Sequence, residues 1–100
     1  MTRHTVYITP RAFSEIKDLP GHMRQRVKRA IAELAFDPRP SESRSLDMPG
    51  SECELRRFRI DRWRIIYVIT EADRAIDVLG VRKRPPYDYG DLGTLLEQTR

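Results

Sequence analysis

Apolar and polar positions follow three rhythms along this chain, and each predicts a different element. Thr5 to Thr9 alternates with a period of two, which puts Val6 and Ile8 on one face of a short strand. Thr9-Pro10 then reads as a helix start, a hydroxyl able to cap orphan amides followed by proline where its missing N–H costs nothing. That helix carries Ala12, Phe13 and Ile16 and ends at Leu19-Pro20-Gly21. From about Gly21 to Phe36 the period becomes helical, with Met23, Val27, Ala30, Ile31, Leu34 and Ala35 on one stripe. Asp37-Pro38-Arg39-Pro40 stops it, because each proline removes a backbone donor and biases its predecessor toward extended conformations. The two helices are expected to form a hairpin.

Ser41 to Ser51 is polar and reads as a surface loop anchored by Leu46 and Met48. Beyond it the period of two returns. Phe58 and Ile60 share one strand face, while Leu55, Arg57 and Arg59 share the other. Ile60-Asp61-Arg62 is short enough for a tight hairpin into Arg62–Thr70, a run rich in Val, Ile and Tyr. There Trp63, Ile65, Tyr67 and Ile69 fall on one face as expected core. Glu71-Ala72-Asp73-Arg74 is a further turn, and Ala75 to Val81 completes a meander of three strands. The tail holds the turn Pro85-Pro86-Tyr87-Asp88-Tyr89-Gly90, then Leu92, Leu95 and Leu96, which suit a short docked helix.

A chain of 100 residues makes one domain, residues 1–100, large enough for a two-layer core without metal or disulfide staples. Cys53 is the sole cysteine, which excludes an intramolecular disulfide and fits a reducing compartment. With no signal-like apolar region and no stretch of ~20 apolar residues, a cytoplasmic protein without a membrane partner is expected. His4 and His22 lack ligand neighbours at metal spacing, and there is no glycine-rich phosphate loop, so neither metal nor cofactor is expected.

Charge changes the picture more. Lys and Arg number 19 against 15 Asp and Glu, and Lys17, Lys28 and Lys83 are the only lysines. Arginine suits bidentate phosphate contacts and base stacking. Arg24, Arg26, Lys28 and Arg29 lie off the apolar helical stripe, where a solvated face explains them better than nucleic acid does. The segment Glu54–Arg64, by contrast, holds five arginines in eleven positions, and the last strand runs into Arg82-Lys83-Arg84. Arg57, Arg59, Arg64 and Arg84, beside Tyr87 or Tyr89, would make a cationic patch of the kind that grips RNA, with Arg56, Arg62, Arg82 and Lys83 as flanking RNA contacts. A sheet face balanced by Asp61, Glu71, Asp73 and Asp77 explains the same composition equally well.

The order of motifs separates these readings. Ile8-Thr9-Pro10-Arg11-Ala12, the Leu19-Pro20 break, the helix closing in Asp37-Pro38-Arg39-Pro40, Leu55 to Tyr67 with its Trp63-Arg64-Ile65-Ile66-Tyr67 ending, and the strand into Lys83-Arg84 together resemble the RelE/ParE superfamily of bacterial toxins. The resemblance implies an α+β domain in which the helical hairpin packs on a mostly antiparallel four-stranded sheet. It implies a toxin of a type II toxin–antitoxin system, held in check by a cognate antitoxin protein. RelE-like members cleave mRNA on the ribosome as endoribonucleases, whereas ParE-like members poison DNA gyrase; a non-toxic basic module that binds RNA or an acidic protein is the remaining alternative. Carried across, the residues around the scissile phosphate are Arg57, Arg59, Arg64 and Arg84, with Tyr87 or Tyr89 as base or stacking residue. The chain departs from the family in carrying arginine where lysine can stand, and Asp61 in place of the usual hairpin glycine.

Overall fold

The computed structural model describes residues 3–46 and 53–83. Its elements run β1 (Thr5–Ile8), α1 (Pro10–Lys17), α2 (Gly21–Leu34), β2 (Ser43–Leu46), β3 (Glu54–Ile60), β4 (Trp63–Thr70) and β5 (Ala75–Lys83). The helix start is built as the residues dictate: Thr9 Oγ1 accepts from the Ala12 amide at 3.2 Å, and Pro10 is the first helical residue. The same hydroxyl donates to the Val78 carbonyl at 3.0 Å, tying the head of α1 to β5.

The fold is α+β, and its sheet has five strands rather than four, in the order β1-β5-β4-β3-β2. The additional strand is β2, in the stretch expected to be a loop. It pairs antiparallel with β3 through Ser43–Phe58, Arg44–Arg57, Ser45–Arg56 and Leu46–Leu55. A polar sequence can form this strand because it lies at the sheet edge, where one side of the ladder meets solvent and apolar alternation is not required. The sheet is otherwise mostly antiparallel; among the described residues β1 and β5 form its one parallel pair. The expected C-terminal helix lies outside the described residues.

The two faces of the sheet divide as the alternation predicts. On one, Ala12 and Ile16 of α1 and Met23, Val27, Ala30, Ile31 and Leu34 of α2 pack on Ile60, Ile65, Tyr67, Ile69, Ile76 and Val78, with Phe58 and Trp63 at the margin. Burying one such aliphatic side chain is worth about 1.5–3 kcal/mol, so this layer dominates the fold's stability. On the other face Leu55, Ile66, Val68 and Leu79 form a smaller cluster. Both faces of β4 are therefore apolar, which explains its uninterrupted run of Ile and Val. At the margins Phe13 and Ile8 are exposed, since α1 is short and β1 lies at the end of the strand order.

At the hairpin between β3 and β4, Ile60 pairs with Trp63, leaving a two-residue turn in which Asp61 has a left-handed φ of 57°. Turns this tight need such a residue, and Asp tolerates the conformation better than most. β5 carries one extra residue, because Ile66 pairs with Gly80 and Tyr67 with Val78. Past this bulge β1 has ended, and Glu15 of α1 takes over the open edge: its Oε1 accepts from the Val81 amide at 2.8 Å. A Cβ on Gly80 would come within 3.0 Å of that same carboxylate oxygen, so glycine is what permits the approach.

Candidate nucleic-acid interface

The second face of the sheet turns from apolar to cationic toward the β3–β4 hairpin. Arg44 lies opposite Arg57, and Arg59 opposite Arg64, so antiparallel register sets arginines side by side on three neighbouring strands. Together with Ser41, Glu42 and Asp61 these four line a cavity of about 360 Å³. Arg64 is 4% exposed and forms a buried wall, with Nη1 donating to the Trp63 carbonyl at 3.3 Å; Arg57 is half-buried, and Arg44 and Arg59 are exposed. Arg59 Nε also donates to the Asp61 carbonyl at 3.3 Å, which steadies it against the turn.

Like charges directly opposite one another in a sheet are destabilising, by roughly 0.2–1 kcal/mol a pair. Arginine does not lose its proton in a protein, so the repulsion is not relieved by neutralisation. Among the described residues, two carboxylates and four guanidinium groups line this cavity. The arrangement is suited to an anion with several oxygens, bound bidentately and partly withdrawn from water.

Three of the sequence-predicted residues, Arg57, Arg59 and Arg64, are brought together here. Arg62 is exposed at the hairpin tip, and Lys83 is exposed at the end of β5. Arg82 lies opposite Arg64 in the register, but its Nε is 3.8 Å from Glu15 Oε2, toward α1. Arg56 points to the helix-bearing face, because its neighbour Arg57 takes the other. There it donates to Glu54 Oε2 and, from Nε, to Ser43 Oγ at 3.0 Å. That is a structural position and removes Arg56 from the cationic patch. Arg84, Tyr87 and Tyr89 lie outside the described residues.

Arg44 and Glu42 were not anticipated. A signal was available: the outer residues of Arg44-Ser45-Leu46 and Leu55-Arg56-Arg57 run in opposite order, so antiparallel pairing aligns arginine with arginine and leucine with leucine.

A second polar network lies at the opposite end of the sheet. Arg39 Nη2 is 2.7 Å from Glu54 Oε1 and 3.4 Å from Glu71 Oε2, and His4 Nε2 is 2.6 Å from Glu71 Oε1. The hydrogen bond from Arg39 holds the Glu54 carboxyl below its usual range, and that from His4 does the same for Glu71. Tyr67 donates its hydroxyl to the Pro38 carbonyl at 2.7 Å, and burial pushes its phenol above the usual value. Among the described residues no group of three His, Cys, Asp or Glu is placed to hold a metal ion, and no helix is long and apolar enough to cross a membrane.

Comparison with known proteins bears on the family and the fold. Residues 6–85 match the family model described as the ParE toxin of the type II toxin–antitoxin system parDE. A protein of Methanocaldococcus jannaschii named "Putative toxin RelE1" is 29% identical over 82 residues, covering 82% of this chain and 91% of its own length. In fold, the chain is similar to the archaeal RelE–RelB complex from Pyrococcus horikoshii, with a TM-score of 0.75, 24% identity, and coverage of 86% of this chain and 100% of that one. The isolated E. coli RelE toxin gives 0.65 and 20% identity, with 91% and 95% covered. The helical hairpin, the sheet behind it and the match across residues 6–85 lead to one conclusion: this chain belongs to the ParE toxin family, within the RelE/ParE superfamily of toxins from toxin–antitoxin systems.

Proposed function

We propose that this toxin is a ribosome-dependent endoribonuclease that cleaves mRNA by attack of a ribose 2′-OH on the adjacent phosphate. The observation that carries the reading is the cavity lined by Arg44, Arg57, Arg59 and Arg64, a concave cationic site on a rigid sheet. In the reaction the 2′ oxygen forms a bond to phosphorus and the bond to the 5′ oxygen breaks. The hydroxyl proton passes to a base and another proton goes to the departing oxygen. Charge accumulates on the phosphoryl oxygens, and donors already fixed in place stabilise it most effectively. Arg57, Arg59 and Arg64 take that role, with Arg84 as a fourth donor. As arginine cannot serve as the base, Tyr87 or Tyr89 is assigned to proton transfer or to stacking on a base. A site with so little proton-transfer equipment depends on exact placement of the message, which the ribosome would supply.

A cognate antitoxin is the second partner in this reading. The Pyrococcus horikoshii relative is a complex of RelE with RelB, and a protein segment covering the arginine cavity would silence it.

The family model's own description, a ParE toxin, favours a second reading, a gyrase inhibitor that cuts no RNA. Primer extension on a reporter mRNA after brief induction separates the two. New cuts confined to translated regions, lost in Arg57→Ala, support the nuclease. Growth arrest with intact message and broken DNA supports the gyrase inhibitor.

A further inference from the structure

The arginines behind the cavity do not stop at β4. Arg59 lies opposite Arg64, and Arg64 lies opposite Arg82, so one row of arginines crosses β3, β4 and β5 on the same face of the sheet. The first two line the cavity, and Arg82 is the member that β5 adds to them. Its Nε is 3.8 Å from Glu15 Oε2, with the two side chains 18% and 30% exposed. Glu15 is thus a carboxylate at the outer end of three cations, and the mechanism proposed above gives it no task.

That carboxylate is held in place. Its Oε1 accepts from the Val81 amide at 2.8 Å, on the edge of β5 that β1 leaves open after Val78. The helix that carries it is pinned to the same strand at its head, where the Thr9 amide and hydroxyl donate to the Val78 carbonyl at 3.1 and 3.0 Å. Helix α1 therefore grips β5 on either side of the bulge, and Glu15 is the grip nearer the cationic end. Gly80 keeps the space for it. A Cβ there would stand 3.0 Å from Glu15 Oε1 and 3.5 Å from Arg82 Nε, so a bare Cα lets the carboxylate and the guanidinium approach each other over the strand. One oxygen of Glu15 fixes the backbone, and the other lies beside the side chain of the next residue.

We propose that Glu15 is a positioning residue for the phosphate site, acting through Arg82, which it sets as the outermost donor of the row Arg59, Arg64 and Arg82. The role rests on the endoribonuclease reading above for its reaction. Like charges side by side in a sheet repel, and a long arginine side chain loses rotamer freedom when it meets an anion. A carboxylate beside Nε offsets the repulsion and narrows the rotamers before the message arrives. A guanidinium has five N–H donors, so one group can face Glu15 on one side and a phosphoryl oxygen on the other. Donors already fixed where charge accumulates stabilise it most. A brace for the strand alone would need only the bond to Val81; the second oxygen beside Arg82 is what such a brace does not require.

Single-turnover cleavage of message on programmed ribosomes, over a range of toxin concentrations, separates the maximal rate from the half-saturating concentration. Glu15→Gln keeps an oxygen for the Val81 amide and removes the charge beside Arg82. It is expected to lower the maximal rate about 10-fold and to leave the half-saturating concentration within about twofold of wild type. Gly80→Ala keeps both charges but displaces the carboxylate, a side-chain end that can move without unfolding the strand, and should lower the same rate by a smaller factor. Thermal melts establish that both variants fold. Glu15→Gln is then combined with Arg82→Ala: a residue acting through Arg82 has no further effect there, whereas an independent brace lowers the rate by its full factor again. A full maximal rate in Glu15→Gln, a change in half-saturating concentration alone, or additive losses in the double variant would each overturn the role and leave the nuclease standing. Intact message with the wild type would overturn the nuclease, and the role with it.

Discussion

The two ends of the sheet treat arginine in opposite ways. Where β3 begins and β4 turns toward β5, Arg39 and Arg56 are each held by carboxylates, and Glu71 is shared with His4. Where β3 turns into β4, Arg44, Arg57, Arg59 and Arg64 crowd round a cavity with fewer carboxylates than guanidinium groups. The first end uses cations as joints between the α2–β2 connection and the sheet. The second sets Arg44 opposite Arg57 and Arg59 opposite Arg64, an arrangement of like charges that generally costs a sheet stability. Adjacent residues mark the boundary: Arg56 belongs to the joint and Arg57 to the cavity, because strand alternation sends them to opposite faces.

The sharpest way to break this comparison is to remove each neighbour in turn. Arg57→Ala is expected to lower mRNA cleavage by about 10²–10³-fold, the usual loss for a donor aimed at developing charge, while the fold persists. Arg56→Ala should leave most of the cleavage and instead lower the urea midpoint. Its charge-assisted bonds to Glu54 and Ser43 correspond to about 1.5–3 kcal/mol. Equal loss of cleavage in both variants, at unchanged stability, would merge the two groups into one site.

Acid titration tests the joint alone. Glu54 has a folded pKa held below its ordinary value of 4.5, first by the Arg39 hydrogen bond. A depressed carboxylate contributes stability that is present above its unfolded pKa and lost as pH falls through the folded one. Stability should therefore decline as pH drops below about 4.5, and Glu54→Gln should flatten that part of the curve. Arg39 has 40% of its side chain exposed, so solvent screening limits this contribution to about 1 kcal/mol. An acid limb unchanged in Glu54→Gln would assign the loss to other carboxylates.

Much of this division was legible in the sequence, and the reasons it was not wholly so are local. Alternation in Leu55–Ile60 alone separates Phe58 and Ile60 from Arg57 and Arg59, and the 3.6-residue stripe fixes the buried side of α2. Arg56 was read among the RNA contacts, although the same alternation sets it on the face opposite Arg57; its carboxylate partner Glu54 lies two residues away on the same strand, and its hydroxyl partner Ser43 comes from the pairing with β2. β2 was hidden because an edge strand of Ser, Arg, Ser and Leu has little apolar alternation to detect. With it went Arg44, the fourth guanidinium of the cavity, and Arg39's role at the far end. Phe13 is exposed because a helix of two turns has room for few buried positions, and Ala12 and Ile16 take them.

The smallest expected effect separates the ends by sign. Arg44 is exposed and lies opposite Arg57, so Arg44→Gln removes one like-charge contact and should stabilise the fold by a few tenths of a kcal/mol. Arg39→Gln removes attractive contacts to Glu54 and Glu71 and should destabilise the fold by up to about 1 kcal/mol. Both shifts should shrink together in ~1 M salt, where the screening length falls to ~3 Å. Paired urea melts at low and high salt are sufficient to see this. Opposite signs at low salt that converge at high salt would mean that the hairpin end carries uncompensated repulsion. If Arg44→Gln destabilises instead, Glu42 or Asp61 already neutralises Arg44, and the cavity is a second joint rather than a site kept open for an anion.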